Sequence, residues 1–360
     1  MFRLGLAAWI LAICVIPMAA SAASVSIYNW ADYIAPDTLD NFHSQTGIST
    51  RYAVYDSNET LLGQLQSGKP SYDVVFPSNH FLARQIKAGL LKTLDRSRLP
   101  NWKYLNPVLL RALEPSDPGN RHGFPYLWGS SGIGYDEAKV RAVLGASAPV
   151  DSWDLVFQPG NMARLASCGV AMIDSSLDLV PMALNYLGLS PYSHDPEDYR
   201  KAETLLMGIK PYVRYFDSFN YAHDLSDGKV CVVVGFSGDV LQAKARARQA
   251  GKGVNIRYAI PREGSTMWFD MAVIPANASD EDAAYAYLDY LLEPKVIANI
   301  TNTVRYANGN EGADEWLDAD IQSDRQIYPR ADMMSKLFIL QPVPEQIDQL
   351  RSAIWARVRQ

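Results

Sequence analysis

The sequence predicts an α/β fold with two lobes, each a mostly parallel sheet flanked by helices, and three observations support this. Short apolar runs alternate with helical patterns through most of the chain, which is typical of α/β proteins. About 337 residues remain after the N-terminal leader, more than the roughly 250–300 residues that one hydrophobic core usually serves. No flexible linker, low-complexity segment or internal repeat divides the chain, which indicates lobes built from discontinuous segments.

The first 22 residues predict a secretory signal peptide. Arg3 supplies a positive start, residues 4–18 are almost wholly apolar, and small residues follow at 19–23. The apolar run is shorter than the roughly 20 residues of a membrane span, so cleavage after residue 22 or 23 is expected. A lipid-modified Cys14 is disfavoured because the residue before it, Ile13, is not small. The mature chain is therefore expected to be exported.

The net charge limits the classes of ligand to expect, and the cysteine content indicates a disulfide. Removing Arg3 takes the formal net charge from −6 to about −7, which disfavours nucleic acid and suits a cationic ligand. Cys168 and Cys231 remain after cleavage, and an even pair in an exported chain indicates a disulfide. Two buried free thiols are the alternative at this point.

The first part of the chain alternates strands and helices. Residues 25–28, 51–54 and 72–78 predict strands, with helices between them that end near Gly47 and at Gly68. This order predicts right-handed crossovers and parallel strands, whose carboxyl ends are the usual place for a ligand. Four polar or aromatic residues lie at such ends: Trp30, Asp32, Tyr33 and Ser78.

The rest of the chain continues the alternation of strands and helices after one glycine-rich segment. Residues 123–136 contain too many glycines for a helix and predict an extended crossing between the lobes. Strands are predicted at 229–239 and 268–279, and helices at 177–187, 196–207, 240–250 and 281–292. Phe236, Ser237 and Asp239 therefore occupy a second strand-to-helix junction.

Patterns typical of catalysis are weak. The five histidines have no paired spacing and the cysteines form no C-x-x-C, so no metal site or cofactor is expected. The segment "GFSGD" at 235–239 resembles a nucleophile elbow, but Asp239 stands where the close turn requires glycine. An exported hydrolase using Ser237 is kept as the alternative to a non-enzyme.

An aromatic residue within a few positions of an aspartate recurs after three strands. A cation placed over an aromatic face gains about 0.5–2 kcal/mol of interaction free energy. Carboxylates accept hydrogen bonds from the protons of an ammonium group. Aspartates that are buried without an opposite charge destabilise the protein, so several of them indicate a cationic ligand. The sequence therefore predicts a cleft for a linear cation. The three sets are Trp30, Asp32 and Tyr33; Phe236 and Asp239; and Trp268 and Asp270.

Segments along the whole mature chain carry a family resemblance, among them "IYNWADYIAPDTLDNF", "YDVVFPSNHFL", "LWGSSGIGYD", "SCGVAMID", "DGKVCVVVGFSGDV", "WFDMAVIPANA" and "RYAN". They closely resemble the putrescine-binding proteins of bacterial polyamine ABC importers. The resemblance implies a monomeric type II periplasmic binding protein that closes on a protonated amine and meets an inner-membrane ABC permease. Putrescine is expected first, then cadaverine, agmatine or spermidine. The lobes are placed at 24–130 plus about 260–305, and at about 131–259 plus 306–360.

The resemblance also implies the ligand residues and a Cys168–Cys231 disulfide. Several positions depart from the family pattern: Ala31 replaces a serine, Phe236 a tryptophan, Trp268 a phenylalanine, Asp178 a glutamate and His80 a small residue. A protonated His80 would oppose an additional ligand amine. A same-fold receptor for amino acids or sugars, or one for chemosensing, stays open. The implied ligand residues are Trp30, Ala31, Asp32, Tyr33, Ser78, Asp178, Phe236, Asp239, Trp268, Asp270 and Tyr306.

Overall fold

A computed structural model describes residues 23–360. The predicted signal peptide, residues 1–22, lies outside this range. The strands are β1 (Ser24–Trp30), β2 (Ser49–Tyr55), β3 (Val74–Val75), β4 (Gly123–Asp136), β5 (Val170–Met172), β6 (Tyr215–Phe216), β7 (Val232–Phe236), β8 (Ile256–Ala259), β9 (Ser265–Val273), β10 (Ala307–Asn308) and β11 (Leu337–Ile339). The α-helices are α1 (Thr38–Thr46), α2 (Asn58–Ser67), α3 (Asn79–Lys87), α4 (Pro107–Leu113), α5 (Glu137–Leu144), α6 (Asp154–Phe157), α7 (Pro159–Leu165), α8 (Ser176–Tyr186), α9 (Pro196–Ile209), α10 (Tyr221–Ser226), α11 (Ser237–Gln249), α12 (Glu281–Leu291), α13 (Pro294–Val304), α14 (Ala319–Ser323), α15 (Ala331–Met334) and α16 (Glu345–Val358).

The strands pair in the order β2-β1-β3-β9-β4-β7-β5-β6. β1 runs parallel to β2 and β3 in the first lobe, and β5 runs parallel to β6 and β7 in the second. Residues 123–130 of β4 pair antiparallel with β9, and residues 131–135 pair antiparallel with β7. β4 therefore passes from one lobe to the other, as the sequence predicted. The two-lobed α/β fold is confirmed, and each sheet is mixed because the crossing strands oppose their neighbours.

Local signals explain where the first two helices begin and end. Gly47 ends α1 with φ +73° and Gly68 ends α2 with φ +67°, a left-handed conformation that glycine adopts without strain. Ser57 begins α2 by accepting a hydrogen bond from the amide of Thr60 at 3.2 Å. Each helix thus returns the chain to the sheet, so that successive strands end at the same edge.

The second lobe has a dense core crossed by one disulfide. β5 and residues Val232–Val234 of β7 are completely buried between helices of this lobe. Cys231 directly precedes β7 and Cys168 lies two residues before β5; the two are disulfide-bonded with a Cα–Cα distance of 5.5 Å. The disulfide prediction is confirmed, and the bond ties the starts of two neighbouring strands together.

The contacts of the C-terminal third of the chain indicate which of its segments belong to which lobe. Ala307 and Asn308 pair with Trp128 and Leu127 in the first-lobe half of β4, and the later helix α16 packs on α8 and α9. We therefore propose that the chain returns to the second lobe after β10 rather than at residue 306. Among the helices formed within residues 23–360, none is both long and apolar enough to span a bilayer.

Candidate ligand-binding site

One face of β9 carries three residues of the candidate cleft. Alternate residues of a strand point to the same side, so Thr266, Trp268 and Asp270 share a face. The positions of Thr266 and Asp270 are about 13 Å apart at a rise of about 3.3 Å per residue. Hydrogen bonds join Thr266 to the second lobe and Asp270 to the first. The strand therefore places an aromatic side chain between two acidic ends.

Asp270 accepts hydrogen bonds from two first-lobe hydroxyls. Tyr33 Oη donates to Oδ2 at 2.8 Å and Ser78 Oγ donates to Oδ1 at 2.7 Å. Asn58 fixes Ser78 by donating to its Oγ and accepting from its amide, both at 3.0 Å. Burial raises the pKa of Asp270 to about 7, against the opposing hydrogen bonds from Ser78 and Tyr33. This carboxyl is therefore poised to ionise when a cation arrives.

Asp239 lies in the first turn of α11 between two tyrosines. Tyr221 Oη donates to Oδ2 and Tyr306 Oη to Oδ1, each at 2.6 Å. Burial raises the pKa of Asp239, and these two hydrogen bonds act in the opposite direction. Tyr221 Oη also accepts from the amide of Phe236 at 3.0 Å, so it holds both the acid and the aromatic of this junction.

Asp178 accepts more hydrogen bonds than Asp239 or Asp270. Ser131 Oγ donates to its Oδ1 at 2.8 Å, Thr266 Oγ1 to the same atom at 3.2 Å, and Ser175 Oγ to Oδ2 at 2.7 Å. A carboxylate offers about four acceptor positions, so roughly one remains. Burial raises the pKa of Asp178, and the hydroxyls lower it.

Aromatic rings line the space between the acids in a series of edge-to-face contacts. The ring centroids of Phe236 and Trp268 are 5.5 Å apart, those of Trp268 and Tyr306 5.3 Å, and those of Tyr306 and Tyr33 5.2 Å. Gly129 lies beside Trp268 in the β4–β9 pair, and a Cβ there would come within 2.9 Å of the Trp268 ring and 3.1 Å of the Tyr306 ring. The glycine is what allows these rings to meet.

The residues at the end of β1 and in the turn after it differ in how closely they approach the three acids. Trp30 Nε1 donates to the carbonyl of Phe76 at 2.9 Å, which holds the indole beside Asp270. Ala31 is partly buried, whereas Asp32 is exposed with φ +52° and makes no hydrogen bond to any residue in 23–360. The structure therefore brings nine of the eleven predicted residues together, whereas Ala31 and Asp32 lie in the more exposed turn after β1.

The three cleft carboxylates differ from the other buried aspartates. Asp73, Asp117 and Asp136 each accept backbone N–H groups, as expected of acids that hold a loop or cap a helix. The side chains of Asp178, Asp239 and Asp270 accept only hydroxyl groups, and within residues 23–360 none forms an ion pair with Lys, Arg or His. These three carboxylates therefore have no cationic partner within residues 23–360.

Residues 37–329 match the profile of the bacterial extracellular solute-binding protein family. This chain belongs to that family. It is 47% identical over 95% of its length to a putrescine-binding periplasmic protein of Pseudomonas aeruginosa, SpuD, of which 93% is covered. It is 45% identical over 97% of its length to the putrescine-binding periplasmic protein PotF of Escherichia coli, of which 95% is covered. A solved spermidine/putrescine ABC transporter substrate-binding protein, PotD of Streptococcus pneumoniae, superposes with a TM-score of 0.78 at 28% identity, over 94% of this chain and 100% of that one.

Several residues of this solute-binding protein's cleft were missed by sequence reasoning. Thr266 precedes Trp268 by two positions, so strand alternation could have identified it. Ser131 and Gly129 lie in the segment that was recognised only as a crossing. Ser175 caps α8 three residues before Asp178, a spacing that helix-capping patterns could have identified. Tyr221 carries no local signal, because its role depends on the fold bringing α10 to Asp239. The missed residues are Gly129, Ser131, Ser175, Tyr221 and Thr266.

The surroundings of Ser237 and the possible metal-binding groups bear on whether this site could be catalytic. Ser237 is buried, its Oγ accepts from the amide of Ser130 at 3.4 Å, and no histidine in residues 23–360 hydrogen-bonds to it. The same residues contain no group of three or more His, Cys, Asp or Glu side chains placed to hold a metal ion. The relatives reported above are solute-binding proteins rather than enzymes.

Proposed function

We propose that this protein is a periplasmic receptor that binds a protonated diamine, with putrescine the first candidate, and delivers it to an ABC permease in the inner membrane. The observation that carries the proposal is the set of three carboxylates, bonded only by hydroxyls, around a series of edge-to-face rings. The names of the relatives from Pseudomonas aeruginosa and Escherichia coli support the choice of putrescine and of the periplasm.

The contacts suggest how a diamine would lie. Asp239 and Asp270 are linked by the Tyr306–Tyr33 ring contact and would share one ammonium, each with vacant acceptor positions. Asp178 would receive the other ammonium, with Asp32 helping directly or through water. Trp30, Phe236 and Trp268 would cover the methylene chain. A micromolar dissociation constant requires about 8 kcal/mol, which several charged and cation–π contacts can supply after association costs.

Both lobes supply ligand contacts, which is how binding would drive closure. Tyr33, Ser78 and Asp270 contact one another around first-lobe strands, while Asp178 and Asp239 begin helices of the second lobe. A ligand that bonds both sets stabilises the closed arrangement over an open one. The permease would then recognise the closed pair of lobes, and the protein itself would perform no reaction.

Titration calorimetry with a panel of amines, followed by mass spectrometry of the recovered ligand, tests this proposal. We expect one-to-one binding of at least one diamine and its recovery unchanged. Asp239→Asn should weaken binding at least tenfold, whereas Asp332→Asn, whose side chain is 80% exposed, should bind as the wild type does. Conversion of the ligand would favour the hydrolase alternative, and failure to bind any amine would refute the proposal.

A further inference from the structure

Two helices from opposite lobes meet beside the cleft. α11 begins in the second lobe, directly after β7, and α13 ends in the first lobe, just before β10 pairs with β4. Gln242 Nε2, on the second turn of α11, donates to the carbonyl of Val304 at 3.0 Å. Tyr306 Oη accepts from the amide of Asp239 at 3.1 Å. These four residues form a contact between the lobes that we call the interlobe seam.

At the seam, each helix satisfies a backbone group that the other leaves open. The first N–H groups and the last C=O groups of a helix have no partner within that helix. Phe236, at the N-cap of α11, has no side-chain acceptor, and the amide of Asp239 finds its partner in Tyr306 of the other lobe. The carbonyl of Val304, the last residue of α13, finds its partner in Gln242. The positive end of one helix dipole thereby meets the negative end of another, which is favourable.

The packing around Tyr306 fits this residue closely to α11. A Cβ added to Gly238 would lie 2.5 Å from the Tyr306 ring, so the glycine is what admits the ring. Arg305, directly before Tyr306, ends α13 with φ +60°, a left-handed conformation that is unfavourable for a residue with a Cβ. Both features support the placement of Tyr306, which is only 2% exposed, against the start of α11.

We propose that Gln242 is a positioning residue that sets how tightly the lobes close, and therefore the affinity for every amine, without contacting the ligand. Its hydrogen bond to Val304 forms only when the lobes are together, since donor and acceptor belong to opposite lobes. The bond holds the end of α13 where Tyr306 donates to the carboxylate of Asp239. The seam needs no ligand to form, because its bonds join protein groups. The effect on amines rests on the proposed function.

The size of the effect follows from the loss of one hydrogen bond. A single intramolecular hydrogen bond shifts an equilibrium about three- to tenfold. When the closed fraction falls by such a factor, the apparent affinity of any ligand that requires the closed form falls by the same factor. The loss should appear mainly as faster dissociation, because the first encounter with an open cleft does not involve the seam.

Calorimetry and stopped-flow displacement with putrescine and cadaverine on the full mature chain test the inference. Gln242→Met keeps the length of the side chain and removes the donor, so it should weaken both amines about three- to tenfold and leave the ratio of their affinities unchanged. Gln249→Met is the matched control, since it makes the same substitution at an exposed residue of the same helix; both affinities should stay as in wild type. Unchanged affinities in Gln242→Met, or a loss for one amine alone, would overturn the inference.

Hydrogen exchange on the amine-free chain tests the seam independently of any ligand. Tyr306 protects the amide of Asp239 only while the lobes are together, so Gln242→Met should speed the exchange of this amide about three- to tenfold. Gln249→Met should leave it unchanged, and equal rates in wild type and Gln242→Met would overturn the inference. If wild type binds no amine, the proposed function fails, and the exchange rates still decide whether the seam operates.

Discussion

Replacing Asp270 by asparagine should stabilise the ligand-free protein at alkaline pH and weaken amine binding. Burial raises the pKa of this carboxyl from 3.8 to about 7, so the folded state favours its neutral form. The resulting penalty is absent below pH 4, grows between pH 4 and 7, and is complete above pH 7. A shift of this size corresponds to roughly 4 kcal/mol at pH 8. Asparagine escapes this penalty because it carries no charge.

The net gain is smaller than the full penalty. Asp270 accepts from Tyr33 and Ser78, and an amide can accept from only one of them unless the other hydroxyl reverses. A mismatched hydrogen bond costs about 1–3 kcal/mol. We therefore expect Asp270→Asn to raise the free energy of unfolding by a net amount of roughly 1–3 kcal/mol at pH 8.

Urea unfolding of amine-free wild type and variant at pH 4, 6 and 8 measures this difference, and calorimetry at pH 8 measures binding. The stability difference should shift in favour of the variant as the pH rises, and amine affinity should fall at least tenfold. Asp332→Asn should leave both quantities unchanged. A difference that does not depend on pH, or undiminished amine affinity, would refute the assignment of Asp270 as a buried acid awaiting a cation.

Three further expectations follow from the same contacts. Amine binding at pH 7 should release about half a proton from Asp270, seen as calorimetric heats that vary with buffer ionisation enthalpy; no release would contradict the raised pKa. Gly129→Ala should cost about 1–3 kcal/mol of stability by overpacking two rings, whereas Gly160→Ala, facing open space, should cost nothing; equal urea midpoints would contradict the packing. Reducing the Cys168–Cys231 disulfide should lower the unfolding free energy by up to roughly 4 kcal/mol while leaving amine affinity within threefold, and a large loss of affinity would show that the bond shapes the cleft.

The parts of the site set by local sequence were predictable. Gly47 and Gly68 end helices because each adopts the left-handed conformation, and these ends return the chain to β2 and to β3, the second of which leads into Ser78. The alternation of Trp268 and Asp270 likewise places both on one face of a strand. Such features depend on neighbours within a few residues.

Features that depend on distant segments were not predictable. Tyr221 and Tyr306 meet at Asp239 only because a helix of the second lobe and the end of α13 converge there. Trp355 donates to Asp174, four residues before Asp178, from α16 near the end of the chain, where nothing in the local sequence marks it. Asp32 has the residue type expected of a ligand contact, but its exposure and its left-handed turn could not be read from the sequence.

Calorimetric titration of putrescine against 1,4-butanediol, into mature protein stripped of bound amine, tests the central claim most directly. The two compounds share a four-carbon chain and differ in charge, so the comparison isolates the contribution of the cleft carboxylates. We expect saturable one-to-one binding of putrescine and no detectable binding of the diol. Equal binding of both, or of neither, would contradict the assignment of this cleft to a protonated amine.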